Sequence, residues 1–249
     1  MSSEPSGAVA AISATRAEGL SSDPELRPAG SLTATLWHAA ATTYEAILQH
    51  PFLERLGDGS LEPDQFAYYL IQDGHYIRAF TQCLATLAGR APTQDSLDML
   101  VAHSGEAVAL ESTLHAELLG ALGLPYQDPA QAPESPTTVA YSSSLLATCA
   151  RDSFLGGLVA VLPCYWIYAR VGHHMATVRS PNPVFARWIE NYSGGAYDGA
   201  VSEVLDCADR FGAVASPVER ARCVELYRRS AQYEWMFWDA AYRRETWPI

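Results

Sequence analysis

The sequence predicts an all-α protein built as one multi-helix bundle. After Leu32, nearly every stretch repeats its apolar residues with the helical period, and none shows the clean alternation of a strand. Residues that start or stop helices, chiefly Ser, Pro and Gly, fall between these stretches. Hydrophobic residues make up 49% of the 249 residues and charged residues 18%, a balance that suits a globular chain and excludes a disordered one.

Eight helices are predicted in chain order. Ser31 can cap the first helix, which ends at His50-Pro51 ahead of a turn at Gly57 and Gly59. Pro63 fits the first turn of the second helix. The remaining helices are expected at about residues 93–122, 137–151, 153–173, 182–192, 197–211 and 217–244.

Two segments are expected to lie outside these helices. Residues 1–30 are rich in Ser, Ala, Gly, Glu and Pro without any periodicity, so we expect a disordered tail that carries no chemistry. Residues 124–136 contain four prolines and predict a loop. Because no change of composition divides the rest, residues 31–249 are expected to form a single helical domain.

The charge and cysteine content exclude several classes of protein. The net charge is −12, so phosphate backbones should repel the chain, and we expect no nucleic-acid partner. The sequence contains no basic amphipathic helix that would indicate membrane binding. Its longest apolar stretch, at about 154–171, is interrupted by Gly, Pro and Arg. Five cysteines without a CxxC pair or a signal-peptide pattern indicate free thiols in the cytoplasm.

Two carboxylates fall on apolar helix faces. Asp73 has apolar residues at −7, −3, +4 and +7, so its side chain points where theirs point. Glu234 lies on the aromatic-rich stripe of the last helix, where burial should raise its pKa and suit it to proton transfer near neutral pH. Asp73 could instead be tied to a helix terminus or an arginine, and Glu234 could form a salt bridge with an arginine, and the pattern alone does not decide between these interpretations.

Cys164 lies in the middle of the apolar helix predicted at 153–173. A lone cysteine in such a place is usually a small core residue. However, Pro163 removes an amide donor and should kink the helix, and distortions of this kind often mark sites. Tyr165, Trp166 and Tyr168 bring polar tips and aromatic faces close to the thiol. The pattern leaves both interpretations of Cys164 open.

Tyrosines recur on otherwise apolar stripes, and a buried phenol needs a hydrogen-bond partner. Together with two carboxylates and a thiol, such tyrosines would suit a flat, nitrogen-rich heterocycle, although plain aromatic packing is the alternative. The tyrosines concerned are Tyr76, Tyr141, Tyr168, Tyr192 and Tyr227.

Metal binding is only weakly indicated. Glu111 and His115 share a helix face, but the di-iron signature needs Glu-x-x-His twice. The sequence also lacks HExxH, a Gly-rich phosphate loop and GxSxG. We therefore expect neither a metal nor another cofactor.

Four motifs resemble the TenA/thiaminase II family. They are HPFLERLGDGSLEPDQFAYYLIQD at 50–73, LPCYWIYARVG at 162–172, WIENYSG at 188–194 and YEWMFWDAAY at 233–242. The similarity covers about residues 32–245, and the second motif is similar to that of the cysteine-containing branch.

The resemblance implies a heme-oxygenase-like helical bundle that assembles as a homotetramer and needs no heme or metal. It implies hydrolysis of 4-amino-5-aminomethyl-2-methylpyrimidine to the hydroxymethyl pyrimidine in thiamin salvage, and cleavage of thiamin itself. A non-catalytic pyrimidine- or thiamin-binding protein and a metal-dependent oxidase on the same fold are the alternatives.

The resemblance also implies a role for each matching residue. Cys164 matches the nucleophile, and Glu234 matches its acid–base partner. Asp73 matches the carboxylate that contacts the pyrimidine, and Tyr76 the aromatic ring that stacks on it. The tyrosines that match pocket-lining positions are Tyr141, Tyr168 and Tyr192.

Overall fold

A computed structural model describes residues 22–123 and 131–249, apart from the side chains of residues 109–112. These ranges contain nine α-helices, a short 3₁₀ turn at Pro24–Leu26 and no strand. The helices are α1 (Leu32–Leu48), α2 (Pro51–Asp58), α3 (Pro63–Ala88), α4 (Gln94–Ala121), α5 (Pro136–Arg151), α6 (Phe154–Val178), α7 (Pro183–Ser193), α8 (Gly195–Gly212) and α9 (Pro217–Arg243). The predicted all-α fold class is confirmed.

Local sequence signals explain where most helices begin. The hydroxyl groups that accept a hydrogen bond from the first turn belong to Ser31, Thr93, Ser135, Ser153 and Ser216. Proline occupies the first turn of α2, α3, α5, α7 and α9, where its missing N–H costs nothing. These side chains satisfy orphan backbone donors, so the helix starts are fixed by the local sequence.

Helix α6 lies at the centre of the bundle and packs against α5, α7, α8 and α9. Helix α3 packs against α4, α5 and α9 on the other side of the core. Of the described helices, α6 alone is long and apolar enough to cross a membrane, but 89% of its most apolar window is buried inside the fold. Its composition is explained by this central position in the core.

The predicted end of the first helix at His50-Pro51 is confirmed, but the sequence predicted no helix between it and Pro63, and this is wrong. Residues 51–58 form the separate helix α2, whose first turn donates from the Phe52 N–H to His50 Nδ1 at 3.1 Å. The helix ends at Gly59, which adopts the left-handed conformation with φ of 81°. Pro51 therefore stops α1 and starts α2, and two turns of helix were too short to stand out in the apolar period.

The predicted boundary of the tail at residue 30 also needs correction. Residues 1–21 lie outside the described part of the chain, but Arg27 is buried and its guanidinium contacts Asp206 at 2.8 Å and Asp209 at 2.5 Å. Trp166 Nε1 donates to the Ser22 carbonyl at 2.6 Å. The contacts with Trp166, Asp206 and Asp209 join residues 144 or more positions apart in the sequence, so local composition could not reveal the order of this segment.

The end of α6 also differs from prediction. Helix α6 continues through Pro163 and ends at Val178, five residues beyond the predicted end at His173. Most of the predicted 124–136 loop, residues 124–130, lies outside the described chain. Its last part leads to Ser135, the cap of α5.

Candidate functional site

A cavity of about 270 Å³ lies between α3, α4, α6, α7 and α8. This volume lies just below the range of roughly 300–1,000 Å³ that small-molecule pockets usually span, and it suits a single ring better than a nucleotide. Most lining side chains are apolar or aromatic, and the polar ones are few. The lining comprises Asp73, Tyr76, Ile77, Phe80, His103, Glu106, Ala107, Cys164, Tyr165, Tyr168, Asn191, Tyr192, Ala196, Tyr197 and Ala200.

Five of the seven residues selected from the sequence line this one cavity. Helix α3 supplies Asp73 and Tyr76 at i, i+3, and α6 supplies Cys164 and Tyr168 at i, i+4, spacings that put each pair on one helix face. Helix α7 supplies Tyr192, whose ring lies 5.1 Å from that of Tyr168.

Close packing of α6 against α7 fixes the position of Tyr192. A Cβ atom at Gly172 of α6 would lie 2.5 Å from the carbonyl carbon of Tyr192 and 2.6 Å from its oxygen. Only a glycine fits this approach, because the obstacle is backbone and cannot rotate away. The sequence pattern did not reveal this role of Gly172.

Cys164 is the most exposed of the five cysteines, and the other four are buried. Its thiol faces the cavity in the middle of α6. Burial, followed by the negative charge of Glu234, raises the pKa of this thiol, and the nearby Tyr76 hydroxyl acts in the opposite direction. The resting form of Cys164 near neutral pH is therefore the thiol.

Glu234 and Tyr141 do not line the cavity but lie directly behind its wall. The Tyr141 hydroxyl donates to Glu234 Oε1 at 2.6 Å, and the Tyr141 ring lies 4.8 Å from that of Tyr76. Glu234 is 1% exposed, and burial raises its pKa to about 8, with the negative charge of Asp73 acting in the same direction and the Tyr141 hydrogen bond against it. A carboxyl group in this state can hold or release a proton near neutral pH.

Asp73 is buried and its Oδ2 atom lies 3.0 Å from Nε2 of His115 on α4. His115 was considered in the sequence only as a metal ligand beside Glu111, whose side chain lies outside the described part of the structure. Among the described residues, no group of three or more His, Cys, Asp or Glu side chains could hold a metal ion.

Two buried polar atoms of the lining residues have no hydrogen-bond partner among the described residues. They are the Tyr76 hydroxyl and the Asn191 side-chain nitrogen. Orphaned buried donors are costly, so groups of this kind commonly receive a ligand or water.

Several lining residues were not identified from the sequence. His103 Nδ1 lies 3.2 Å from the Tyr165 hydroxyl, and the Tyr197 hydroxyl donates to the Cys164 carbonyl at 3.0 Å. His103 is a polar residue on the buried face of α4, so the pattern that indicates Asp73, a polar residue on an apolar helix face, also indicates His103. Tyr227, which shares the apolar stripe of Glu234, does not belong to the lining.

The fold and the site define a class of all-helical protein with an aromatic cavity lined by a thiol and the carboxylates of Asp73 and Glu106, with the buried Glu234 beside it. The TENA/THI-4/PQQC family model matches residues 37–244, so the chain belongs to that family. The predicted family resemblance is confirmed.

Curated relatives agree with the family model. The chain is 31% identical over 209 residues to the aminopyrimidine aminohydrolase of Bacillus subtilis, and the match covers 84% of this chain and 89% of the relative. It is also 34% identical over 221 residues to the thiamine biosynthesis multifunctional protein ThiED of Corynebacterium efficiens. That match covers 89% of this chain but only 30% of the longer relative.

Solved structures show the same fold. A TenA homologue from P. horikoshii OT3 has a TM-score of 0.79 at 24% identity, and the match covers 86% of this chain and 99% of that one. A domain of unknown function with a heme oxygenase-like fold, from Shewanella denitrificans OS217, has a TM-score of 0.66 at 17% identity. That match covers 85% of this chain and 92% of the other. The predicted heme-oxygenase-like bundle is confirmed.

Proposed function

We propose that this protein is an aminopyrimidine aminohydrolase that uses Cys164 as a covalent nucleophile. Its substrate is 4-amino-5-aminomethyl-2-methylpyrimidine, and its products are the hydroxymethyl pyrimidine and ammonia. The observation that carries the proposal is the cavity itself. The Cys164 thiol and the Asp73 carboxylate both line it, and Glu234 lies next to the lining, bonded to Tyr141. The name of the Bacillus subtilis relative supports the same activity.

The size and lining of the cavity suit such a substrate. A single aromatic ring with short substituents matches the volume of about 270 Å³, and the rings of Tyr76, Tyr168 and Tyr192 offer faces for stacking. Asp73 supplies an acceptor for the ring amino group, and no arginine lines the cavity among the described residues. Such a site favours a ligand that brings hydrogen-bond donors.

Cys164 and Glu234 would carry the chemistry. The Cys164 sulfur adds to the ring carbon next to a ring nitrogen, and Glu234 delivers a proton to that nitrogen. The electron-rich adduct then expels the amine from the exocyclic methylene, and the amine leaves as ammonia with the proton of the ring nitrogen. Water adds its hydroxyl to the methylene and its remaining proton to the ring nitrogen. The carbon–sulfur bond then breaks, the proton on the ring nitrogen returns to sulfur, and the ring recovers its aromaticity as the thiol is released.

Replacement of Cys164 by serine tests this proposal. Wild-type protein should release ammonia from the aminomethyl pyrimidine, whereas Cys164→Ser should lose essentially all release and keep the helical circular-dichroism spectrum. Cys207→Ser, at a buried cysteine outside the cavity lining, is the matched control and should keep the activity. Near wild-type turnover by Cys164→Ser would contradict the covalent role.

Thiamin cleavage, the homotetramer and a cytoplasmic location complete the proposal, and the family resemblance supports each of them. Thiamin should be cleaved in the same cavity by the same addition of Cys164, with the thiazole as leaving group. Light scattering on the purified protein tests the tetramer, for which a mass of four chains of 27.1 kDa is expected.

A further inference from the structure

His115 lies behind Asp73 as seen from the cavity. Its Nε2 atom is 3.0 Å from Asp73 Oδ2, and both side chains are buried. Asp73 lines the cavity, whereas His115 does not. Among the described residues, His115 is the hydrogen-bond partner of this carboxylate. In the described part of the chain, the imidazole is therefore connected to the cavity through Asp73.

A carboxylate held by one such contact has a defined orientation. The last torsion angle of an aspartate is broad, so a carboxylate without a partner samples many orientations. A carboxylate accepts hydrogen bonds, so the proton between the two groups is carried by Nε2 of His115. With Oδ2 engaged in this bond, Asp73 keeps its remaining acceptor capacity for a molecule in the cavity.

We propose that His115 is a positioning residue for aminopyrimidine binding, and the inference rests on the function proposed above. His115 fixes the Asp73 carboxylate in the orientation that accepts a hydrogen bond from the 4-amino group of the ring. Such alignment sets the angle at which the ring meets the thiol of Cys164, because a small misplacement of a bound substrate can cost a large factor in rate.

Two substitutions separate this role from a purely structural one. His115→Leu removes the N–H donor, and His115→Gln keeps a donor close to the position of Nε2. We expect His115→Leu to weaken binding of the hydroxymethyl pyrimidine, measured by calorimetry, and to raise KM for the aminomethyl substrate, each by roughly tenfold to a hundredfold. His115→Gln should recover most of the loss.

His50→Leu is the matched control. His50 is also buried and also lies beside a carboxylate, with its Nε2 atom 3.6 Å from Asp239 Oδ1, but it caps α2 outside the cavity lining. This variant should lower the denaturation midpoint without changing the affinity for the pyrimidine. A similar loss of affinity in His50→Leu would mean that buried histidines act only through general stability.

A double-mutant cycle and an analogue complete the test. In an Asp73→Asn background, His115→Leu should add no more than roughly a twofold loss, because coupled residues act as a unit. A pyrimidine that lacks the 4-amino group should bind His115→Leu and wild type alike. Additive losses, or an equal loss with this analogue, would overturn the inference. If wild type neither binds nor deaminates the aminopyrimidine, the proposed function itself fails.

Discussion

Replacing Glu234 with glutamine should remove a pH dependence from the stability of the folded protein. The Glu234 carboxyl is 1% exposed, and burial raises its pKa from 4.5 to about 8. Between these two pKa values the folded state keeps a proton that the unfolded chain releases. The stability is therefore fully present below the unfolded-state pKa of 4.5, and it is lost as the pH rises to and through the folded-state pKa of about 8. Glutamine is neutral throughout and escapes this loss.

The magnitude follows from the size of the shift. One extra proton bound in the folded state changes the unfolding free energy by about 1.4 kcal/mol for each pH unit. Over the interval from 4.5 to about 8, wild type loses on the order of 5 kcal/mol relative to Glu234→Gln. Comparing the two proteins cancels the contributions of all other titrating groups.

Urea unfolding at equal protein concentration, from about pH 5 to about pH 9, measures this difference. The free-energy gap between Glu234→Gln and wild type should widen steadily up to about pH 8 and then level off. Glu225→Gln, at an exposed position of the same helix, controls for the substitution itself. A gap that stays constant across this range would refute the raised pKa and, with it, the proposed proton-transfer role.

Three further predictions concern reactivity and packing. Iodoacetamide should label Cys164 first in the native protein, because the other cysteines are buried, and a bound pyrimidine should slow the labelling detected by mass spectrometry. Gly172→Ala should destabilise the fold by about 1–3 kcal/mol in urea unfolding, because its Cβ would strike the α7 backbone, whereas Gly199→Ala meets open space and should not. Arg27→Ala should cost roughly 2 kcal/mol or more because it removes a buried guanidinium that bonds Thr33, Asp206 and Asp209, whereas loss of the exposed Arg187 pair should cost about 1 kcal/mol or less, and equal losses would contradict the anchoring of residues 22–30 by Arg27.

Much of the fold could be predicted from the sequence, because the start of a helix depends on a few local residues. The buried face of a helix likewise depends on apolar residues that repeat every three or four positions. Ser31, Ser153 and Ser216 cap their helices with their own side chains, so the starts of these three helices could be predicted from the sequence. Helix α2 was missed because eight residues give too few periods to recognise. The order around Arg27 was missed because its partners lie 179 and 182 residues away.

The site could be predicted only where a polar residue interrupts an apolar face. That signal singled out Asp73, Glu234 and the tyrosines, Pro163 drew attention to Cys164, and the motif resemblance gave each of them an expected role. His115 carries the same signal, since leucines at +3 and +4 share its face, but its pairing with Asp73 depends on how α4 packs against α3. That Glu234 lies next to the cavity, bonded to Tyr141 and outside the lining, is likewise a property of packing and not of spacing.

The surroundings of Cys164 indicate how a thiol with a raised pKa can serve as a nucleophile. The charged groups that influence it are the carboxylates of Glu234 and Asp73, so nothing among them stabilises a resting thiolate. Addition of S–H across a ring C=N bond moves one proton from sulfur to nitrogen and creates no net charge. Because its pKa is about 8, Glu234 can release a proton to the nitrogen and accept the one from sulfur. The Cys164 thiol and the buried Glu234 carboxyl group therefore suit one another in the proposed reaction, since the proton moves between them only when a substrate nitrogen is present to receive it.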